Sequence, residues 1–183
     1  MAPPSPDFAA AYEEHVAQVY GFLAYRVRSR EEAEDLTQLT FERALRAWGR
    51  YDARRAQVGT WLLTIARNLL IDRYRSAGSA PASEPLHDTA EQRLPATELD
   101  PSLGIGAELA AAIAGLDQRS KEVVALRFGG DLTGPEIADV MGLSLANVQQ
   151  ILSRALRRLR SDLGGGDSEQ DDAAPGQAGD PRA

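Results

Sequence analysis

Polar side chains that could bind DNA recur at three- and four-residue steps near the end of the 183-residue chain. At this spacing they share one face of a helix. Asn and Gln can form paired hydrogen bonds with adenine edges, while Arg can bond guanine or phosphate. The residues concerned are Asn147, Gln150, Arg154 and Arg157. The pattern indicates a DNA-reading helix, and the alternative is the solvated polar face of an ordinary helical hairpin.

The preceding residues predict the elements that would position this face. Thr133 and Glu136 have the spacing of a capping box, and Gly142 can take the left-handed conformation that ends a helix. Ser144 is then a natural N-cap for the helix that carries the polar face. A short helix, a turn containing glycine and a longer helix form a helix-turn-helix, whose second helix enters the DNA major groove. The apolar stripe expected on that helix is Val148, Ile151, Leu152, Ala155 and Leu159.

Charge is distributed unevenly along the chain, which has a net charge of −7. Residues 41–76 hold eight Arg against three acidic residues, and residues 119–163 hold seven basic against five acidic. Residues 77–108 hold one Arg against six acidic residues, and residues 164–183 one Arg against five. The parts expected to face nucleic acid are therefore basic, although the chain as a whole is acidic.

Several classes of function are not supported by the sequence. The chain has no cysteine, which excludes disulfides and thiolate metal sites. His15 and His87 have no clustered partners, so no metal site and no cofactor is expected. A phosphate-binding Gly loop and a nucleophile elbow are both missing, and no apolar run approaches the length of a membrane span. We therefore expect a cytoplasmic binding protein, not an enzyme, without membrane insertion.

Two amphipathic helices are predicted at the start of the chain. Asp7 and Ser29 are their candidate caps, and the second helix should end at about Arg50. Their apolar stripes step in the same way, so we expect an antiparallel pair. Leu39 projects from the second helix among polar and charged residues. It is either one ordinary exposed leucine or the apolar centre of a partner-binding patch.

A basic loop and a third helix are predicted next. The loop, residues 51–59, contains Arg54 and Arg55, and the helix should run from about Thr60 to Arg75. Trp61 at its start is either a core anchor or a stacking platform for an unpaired base. The side of this helix expected to offer donors to phosphates and bases comprises Thr64, Arg67, Asn68, Ile71 and Arg75.

The fold class predicted from these patterns is all-α, with two small helical domains joined by a flexible linker. Two further helices, at about residues 107–116 and 120–128, should lead into the helix-turn-helix. The linker is rich in Pro, Ser, Ala and acidic residues and has no helical period. The predicted divisions are 1–76, the linker 77–104, 105–163 and a disordered acidic tail 164–183.

Three segments resemble RNA polymerase sigma factors of the extracytoplasmic-function (ECF, group 4) class of the sigma-70 family. They are residues 33–48, 60–75 and 136–160, in the family's order and separated by a linker. This class keeps only regions two and four, the first a helical bundle and the second a helix-turn-helix. The resemblance implies a transcription initiation factor that binds core RNA polymerase and directs it to specific promoters.

The family's functional positions can be transferred residue by residue. Docking on the β′ clamp of the polymerase would involve Asp35, Leu36, Gln38 and Leu39. Melting and reading of the minus-ten element would involve Arg54, Arg55, Trp61, Arg67, Asn68 and Arg75. Reading of the minus-thirty-five element, near the β flap, would involve Ser144, Asn147, Gln149, Gln150, Arg154 and Arg157. Family members are commonly held inactive by an anti-sigma protein, which is therefore a further expected partner.

The sequence departs from the family pattern at three places. Gln149 and Ile151 replace residues that are usually basic, so phosphate anchoring by this helix should be weaker or should be carried by Arg154, Arg157 and Arg158. Asp117 replaces the usual proline before the helix at Ser120. The acidic tail is additional to the minimal pattern. It either competes with DNA for the basic faces or is simply a solvated tail.

Alternative functions remain open from the residues alone. A stand-alone helix-turn-helix regulator would bind duplex operators without polymerase, usually as a dimer. The basic third helix and the exposed Leu39 argue against it. A decoy that occupies polymerase without reading promoters is a third possibility, and a DNA enzyme has the least support.

Overall fold

The computed structural model describes residues 7–76 and 106–164, which form seven α-helices and no strands. The all-α fold class is confirmed. The helices are α1 (Phe8–Ala24), α2 (Arg30–Ala47), α3 (Val58–Ser76), α4 (Ala107–Ala114), α5 (Gln118–Val124), α6 (Gly134–Met141) and α7 (Leu145–Gly164). The predicted linker 77–104, residues 165–183 of the predicted tail, and His87 lie outside the described residues.

Helices α1 and α2 begin at the caps that the sequence predicts. The Asp7 carboxylate accepts the backbone N–H of Ala9, and the Ser29 hydroxyl accepts that of Glu32. The second helix ends earlier than predicted, because the α-helix stops at Ala47 and continues as a 3₁₀ turn over Trp48–Arg50. This turn leads into the basic loop.

Helices α1, α2 and α3 form a bundle around a core of large buried side chains. Phe8 and Trp48 lie with their ring centroids 5.0 Å apart, and those of Tyr12 and Phe41 are 4.7 Å apart. The start of α1 therefore meets the end of α2, which confirms the antiparallel pair. Fully buried members of this core include Val19, Phe22, Leu23, Leu36, Leu62 and Leu63.

The helix-turn-helix forms as predicted. Glu136 accepts the backbone N–H of Thr133 at 2.8 Å, which completes the capping box at the start of α6. Gly142 ends α6 with φ of +66°, a conformation that favours glycine. The Ser144 hydroxyl accepts the Asn147 N–H at 3.2 Å and caps α7. Of the predicted stripe on α7, all but the half-buried Leu152 are buried.

The segment before the helix-turn-helix differs from the prediction at both ends. The Asp117 carboxylate accepts the Ser120 N–H at 2.9 Å, so α5 begins two residues earlier than expected. Asp117 thus caps the helix at the position where the resemblance predicts proline. After Val124 the chain adopts a π-helical turn over Ala125–Gly129. This turn places its last residues against α1.

The two helical domains pack directly against each other. One hydrophobic cluster contains buried residues of the first bundle together with Leu126, Leu132 and Ile137 of the second. The helices α4, α5 and α7 have a second cluster around Ile113 and Leu159. The sequence predicted two domains but not this shared core.

Candidate nucleic-acid and protein interfaces

The outward face of α7 is open to solvent. Gln149, Gln150, Arg154 and Arg157 are exposed, whereas Asn147 is half-buried beside the N-cap. Among the described residues, no carboxylate lies within ion-pair distance of Arg154 or Arg157. The neighbouring Arg158 instead pairs with Asp162 at 3.7 Å. Two arginines of α7 are therefore free to bind an external anion.

The outward face of α2 has a small apolar spot among polar side chains. Leu39 is 42% exposed, and Asp35 and Gln38 are also on the surface. Leu36, which the sequence analysis grouped with them, is only 2% exposed and packs in the core. Its side chain is covered by the core, so Leu36 cannot itself contact a partner of this face.

Leu45 belongs to the same surface and was missed by the sequence analysis. It is 57% exposed and stands seven residues after Gln38, two helical turns further along the same side. The amide of Gln38 donates to Glu42 at 3.1 Å, and Glu42 also contacts Arg46 at 3.4 Å. The seven-residue spacing from Gln38 could have identified Leu45 from the sequence.

An apolar groove of about 920 Å³ runs between α1 and α2 beside this face. Its apolar side chains are Phe8, Tyr12, Val16, Tyr20, Phe41 and Leu45. The Tyr12 side chain in this groove is 45% exposed. Helices α1 and α2 therefore leave an open groove beside the outward face of α2.

The basic loop lies over a cluster of aromatic rings. Trp48 stacks on Tyr51 with centroids 5.4 Å apart, and Trp61 lies 5.1 Å from Tyr51. Arg54 and Arg55 are exposed beside them. Burial raises the pKa of Tyr51, whose hydroxyl donates to the Ala56 carbonyl and holds the loop closed.

The position of Trp61 is compatible with both of the roles that the sequence left open. It packs against the hydrophobic core and is half-buried, yet it also belongs to the aromatic cluster under the loop. The structure therefore fixes the ring on one side and leaves part of it at the surface. A partly exposed, fixed ring is suited to stacking on a base.

The side of α3 expected to face DNA is divided by the structure. Asn68 and Arg75 are exposed, but Arg67 is not on an open surface. The Arg67 Nε lies 2.6 Å from Oε1 of Glu122 in α5, and both side chains are largely buried. In this arrangement the structure does not bring Arg67 together with the other minus-ten candidates.

Hydrogen bonds keep a carboxylate in the charged form at the start of α6 and another at the start of α5. Hydrogen bonds from the Thr133 side chain and backbone lower the pKa of Glu136, and Thr60 of α3 adds a further one. Although burial opposes it, hydrogen bonding by Ser120 lowers the pKa of Asp117 at the start of α5. Both carboxylates are thus held as anions at helix N-termini, where negative charge is favourable.

Within residues 7–76 and 106–164 there is no group of three or more His, Asp or Glu side chains that could hold a metal ion. The same part of the chain contains no helix long and apolar enough to cross a membrane.

Comparison with known proteins identifies the family. Residues 11–80 match the family Sigma-70 region 2, and residues 112–161 match Sigma-70, region 4. The chain is 30% identical over 156 residues to the ECF RNA polymerase sigma factor RpoE of Cereibacter sphaeroides, covering 85% of this chain and 86% of that protein. The chain belongs to the ECF class of RNA polymerase sigma factors. Members of this class are transcription initiation factors, and the presence of both regions disfavours a stand-alone regulator.

Other relatives agree with this assignment. The ECF RNA polymerase sigma factor BldN of Streptomyces coelicolor is 36% identical over 155 residues, which cover 83% of this sigma factor but only 58% of BldN. The structure of CnrH in complex with the cytosolic domain of CnrY is similar at a TM-score of 0.61 and 25% identity, covering 88% of this chain and 89% of that one. The Bartonella quintana sigma factor RpoE, solved with the anti-sigma factor NepR, shares the fold at a TM-score of 0.65 and 20% identity, covering 88% and 99% of the two chains.

Proposed function

We propose that this sigma factor docks on the β′ clamp of core RNA polymerase through the outward face of α2. Asp35, Gln38 and Leu39 supply the contact, and Leu45 extends it. Leu36 supports the face from the core. An exposed apolar residue surrounded by polar groups is the typical centre of a protein interface. The region 2 match includes all of these positions.

The minus-ten element is held by the loop and the start of α3 in this proposal. Arg54 and Arg55 bind phosphates of the separated strand, while Trp61 offers its partly exposed ring to a base. Asn68 and Arg75 add contacts along α3. Arg67 contributes only after its ion pair with Glu122 has opened.

The minus-thirty-five element is read by α7 near the β flap. Its open outward face is the observation that carries the proposal. Arg154 and Arg157 have the exposure needed to reach phosphates or guanines, and Gln150 can bond a base edge. Ser144 and Asn147 lie at the N-terminus of the helix, where recognition helices approach the bases. Gln149 is exposed but uncharged, so it adds a hydrogen bond and no net attraction.

The remaining features follow from this assignment. The functional divisions we propose are region 2 in residues 1–76, a linker in 77–104, region 4 in 105–163 and an acidic tail after it. The protein acts in the cytoplasm, where its polymerase and promoters are, and carries no catalytic activity or cofactor of its own. The polymerase performs the chemistry.

An anti-sigma protein is the regulatory partner we propose. CnrH, which is similar to this chain over most of its length, has been solved in complex with the cytosolic domain of CnrY. The apolar groove between α1 and α2 adjoins the polymerase-docking face. A protein seated there would compete with the polymerase for α2.

Run-off transcription with core polymerase tests the proposed function directly. Promoter fragments from the protein's own genome are transcribed with and without the purified chain. New discrete start sites that require the protein are the expected result. If no such start sites appear but the protein binds duplex DNA, a stand-alone regulator is indicated. If none appear and the protein binds core polymerase tightly, a decoy is indicated.

A further inference from the structure

The basic loop before α3 is tied across its base by one side chain. The hydroxyl of Tyr51, the first residue of the loop, donates to the backbone carbonyl of Ala56 at 2.9 Å. Both residues are half-buried, whereas the four residues between them are exposed. The hydrogen bond therefore closes the exposed part of the loop, which carries Arg54 and Arg55, into one compact turn.

The aromatic ring of Tyr51 is itself held in place. It stacks on Trp48 with 14° between the ring planes, and it lies against Trp61 at the start of α3 with centroids 5.1 Å apart. Trp48 also meets Phe8 of α1 edge to face, at 5.0 Å. The hydroxyl that holds Ala56 thus extends from a ring that is packed against two tryptophans.

A second set of hydrogen bonds orders the tip of the loop. The Asp52 carboxylate accepts the backbone N–H of Arg54 at 3.0 Å, and the Asp52 carbonyl accepts that of Arg55 at 3.0 Å. These bonds join residues two and three positions apart, so they fix the shape of the tip but not its position beside α3. The Tyr51–Ala56 bond instead joins the two ends of the loop.

Arg54 and Arg55 have guanidinium groups that are open to an external anion. Both side chains are exposed, and within residues 7–76 and 106–164 no carboxylate lies within ion-pair distance of either. Their hydrogen bonds to Asp52 use the backbone alone. The position from which these two cations act is therefore set by the loop backbone.

The Tyr51 hydroxyl adds nothing to the aromatic packing. A phenylalanine ring would make the same contacts with Trp48 and Trp61, and a buried hydroxyl costs free energy unless it is hydrogen-bonded. Burial raises the pKa of Tyr51, so the group remains a neutral donor at neutral pH. The contribution of the hydroxyl therefore lies in the loop, whose carbonyl it holds.

A loop of fixed shape matters for the reading of bases. A base stacked on the partly exposed ring of Trp61 is held without regard to sequence, because every base has a π-face. Discrimination needs hydrogen bonds to the base edge, with donor–acceptor distances of about 2.7–3.2 Å. The loop backbone beside the ring has N–H and C=O groups, and a loop that is free to move cannot keep them at that distance.

We propose that the Tyr51 hydroxyl is a positioning group of the minus-ten site. By holding the Ala56 carbonyl it fixes the loop relative to the Trp61 ring, and so it sets the selectivity for the base that is stacked there. General attraction to the strand comes from Arg54 and Arg55 and does not need the hydroxyl. The inference rests on the proposed function for the role of the loop in reading the minus-ten element.

Tyr51→Phe removes the hydroxyl and keeps the ring. Tyr74→Phe is the matched control, because the Tyr74 hydroxyl is also partly buried and donates to a backbone carbonyl, that of Arg26, at 2.6 Å. Tyr74 lies about 20 Å further along α3 than Trp61. Each variant loses one hydrogen bond of the same kind, so their comparison separates the position of the loop from general stability.

Hydrogen exchange of the loop amides tests the positioning without DNA. The loss of one net hydrogen bond shifts a local opening equilibrium by about fivefold. We expect the amides of Arg54 and Arg55, followed by NMR on the full chain, to exchange about fivefold faster in Tyr51→Phe and at the wild-type rate in Tyr74→Phe. Unchanged exchange in Tyr51→Phe overturns the proposal, because the hydroxyl would then not hold the loop.

Run-off transcription with core polymerase measures the selectivity. The templates are one promoter that depends on the protein and its variants with each other base at the minus-ten positions. For Tyr51→Phe we expect discrimination at one base position to fall about fivefold, with little change in the preferences at the others. Tyr74→Phe should keep the wild-type preference at every position.

Three results of the transcription assay would overturn the positioning role. An equal loss of transcript from every template would show that the hydroxyl only stabilises the fold. Loss of selectivity without faster exchange would place the hydroxyl on the base itself. Unchanged selectivity despite faster exchange would show that the shape of the loop does not determine which base is accepted.

Failure of the proposed function would look different. In that case run-off transcription would show no start sites that depend on the wild-type protein, and the minus-ten role of the hydroxyl would fall with it. The exchange measurement would still show whether Tyr51 holds the loop. Circular dichroism of each variant confirms that the helices are intact before either readout is interpreted.

Discussion

The Arg67 guanidinium lies 2.6 Å from the Glu122 carboxylate, and this pair joins the third helix of region 2 to the helix that precedes the helix-turn-helix. Both side chains are largely shielded from water, so the pair is screened less than an exposed one. One of the cations proposed to bind DNA is therefore held against the other domain. Because of this pair, the positions of the charged residues along α5 affect the contact between the two domains.

Lys121→Met should stabilise the packing of the two domains, whereas Glu122→Gln, which weakens the pair with Arg67, should destabilise it, although the two positions are adjacent. The lowered pKa of Lys121 means that its charge destabilises the packed form, through burial and then through Arg26. Methionine keeps the stem and removes the charge. At pH 7 we expect a higher melting temperature than in the wild-type chain, measured by circular dichroism.

The pH dependence of this difference has a definite sign. A lysine with a depressed pKa in the folded state costs stability while it is protonated, and the cost disappears as pH rises through that pKa toward 10.5. The melting temperatures of Lys121→Met and wild type should therefore converge at alkaline pH. If the difference between the two melting temperatures widened at alkaline pH, the charge of Lys121 would not be what destabilises the packed form.

Leu39→Asp should abolish binding to core polymerase while sparing the fold. Burying a carboxylate at the centre of an apolar contact typically weakens binding by more than about 2 kcal/mol, or roughly thirtyfold. The side chain is 42% exposed, so the free energy of unfolding should change by less than about 0.5 kcal/mol. Fluorescence anisotropy measures the affinity for core polymerase, and urea unfolding measures the free energy of unfolding.

Leu163→Asp is the matched control, since this leucine is similarly exposed, at 46%, on the end of α7. It should keep the wild-type affinity for a β′ clamp fragment. Native-like affinity of Leu39→Asp for that fragment would remove α2 as the docking helix.

Arg154→Ala should weaken promoter binding through the minus-thirty-five element. If the side chain bonds a guanine, the loss is about 1–3 kcal/mol and is confined to one base position. If it binds phosphate, the loss is uniform across sequences and the salt slope falls by about 0.9. Arg160→Ala, an exposed arginine further along α7, is the control. Equal affinity of both variants in promoter titrations would place the reader elsewhere.

Local structure was predicted well because its causes are local. Asp7, Ser29, Thr133 and Ser144 cap helices through hydrogen bonds to residues two or three positions away. Spacing alone reveals such pairs. The buried stripe of α7 follows in the same way, because periodicity determines which residues can share a face.

Long-range contacts could not be predicted from the same patterns. Arg67 and Glu122 are 55 positions apart, and neither has a sequence signature that selects the other. The sequence therefore placed Arg67 on a DNA-facing side, and only the packing of α3 against α5 shows it covered. Leu36 was placed on the docking face by resemblance, although its own periodicity with Thr40 and Ala44 indicates the core.

Glu136→Ala should destabilise the helix-turn-helix and its contact with region 2. The carboxylate accepts from the backbone and hydroxyl of Thr133 at 2.8 and 2.6 Å, and loss of such a cap costs about 1 kcal/mol at neutral pH. Hydrogen bonding lowers the pKa of Glu136 below its ordinary value of 4.5. Its contribution is therefore complete above about pH 4.5 and is lost as pH falls through the lowered pKa.

Urea unfolding at several pH values measures this contribution as the difference between wild type and Glu136→Ala. The difference should be constant from pH 7 to about pH 5 and should shrink below that, as protonation removes the acceptor from the wild-type chain. Glu108→Ala, which removes an exposed glutamate in the first turn of α4, should show a smaller difference at neutral pH. A Glu136→Ala difference that persists unchanged to pH 3 would mean that packing, not the charged hydrogen bonds, holds the start of α6.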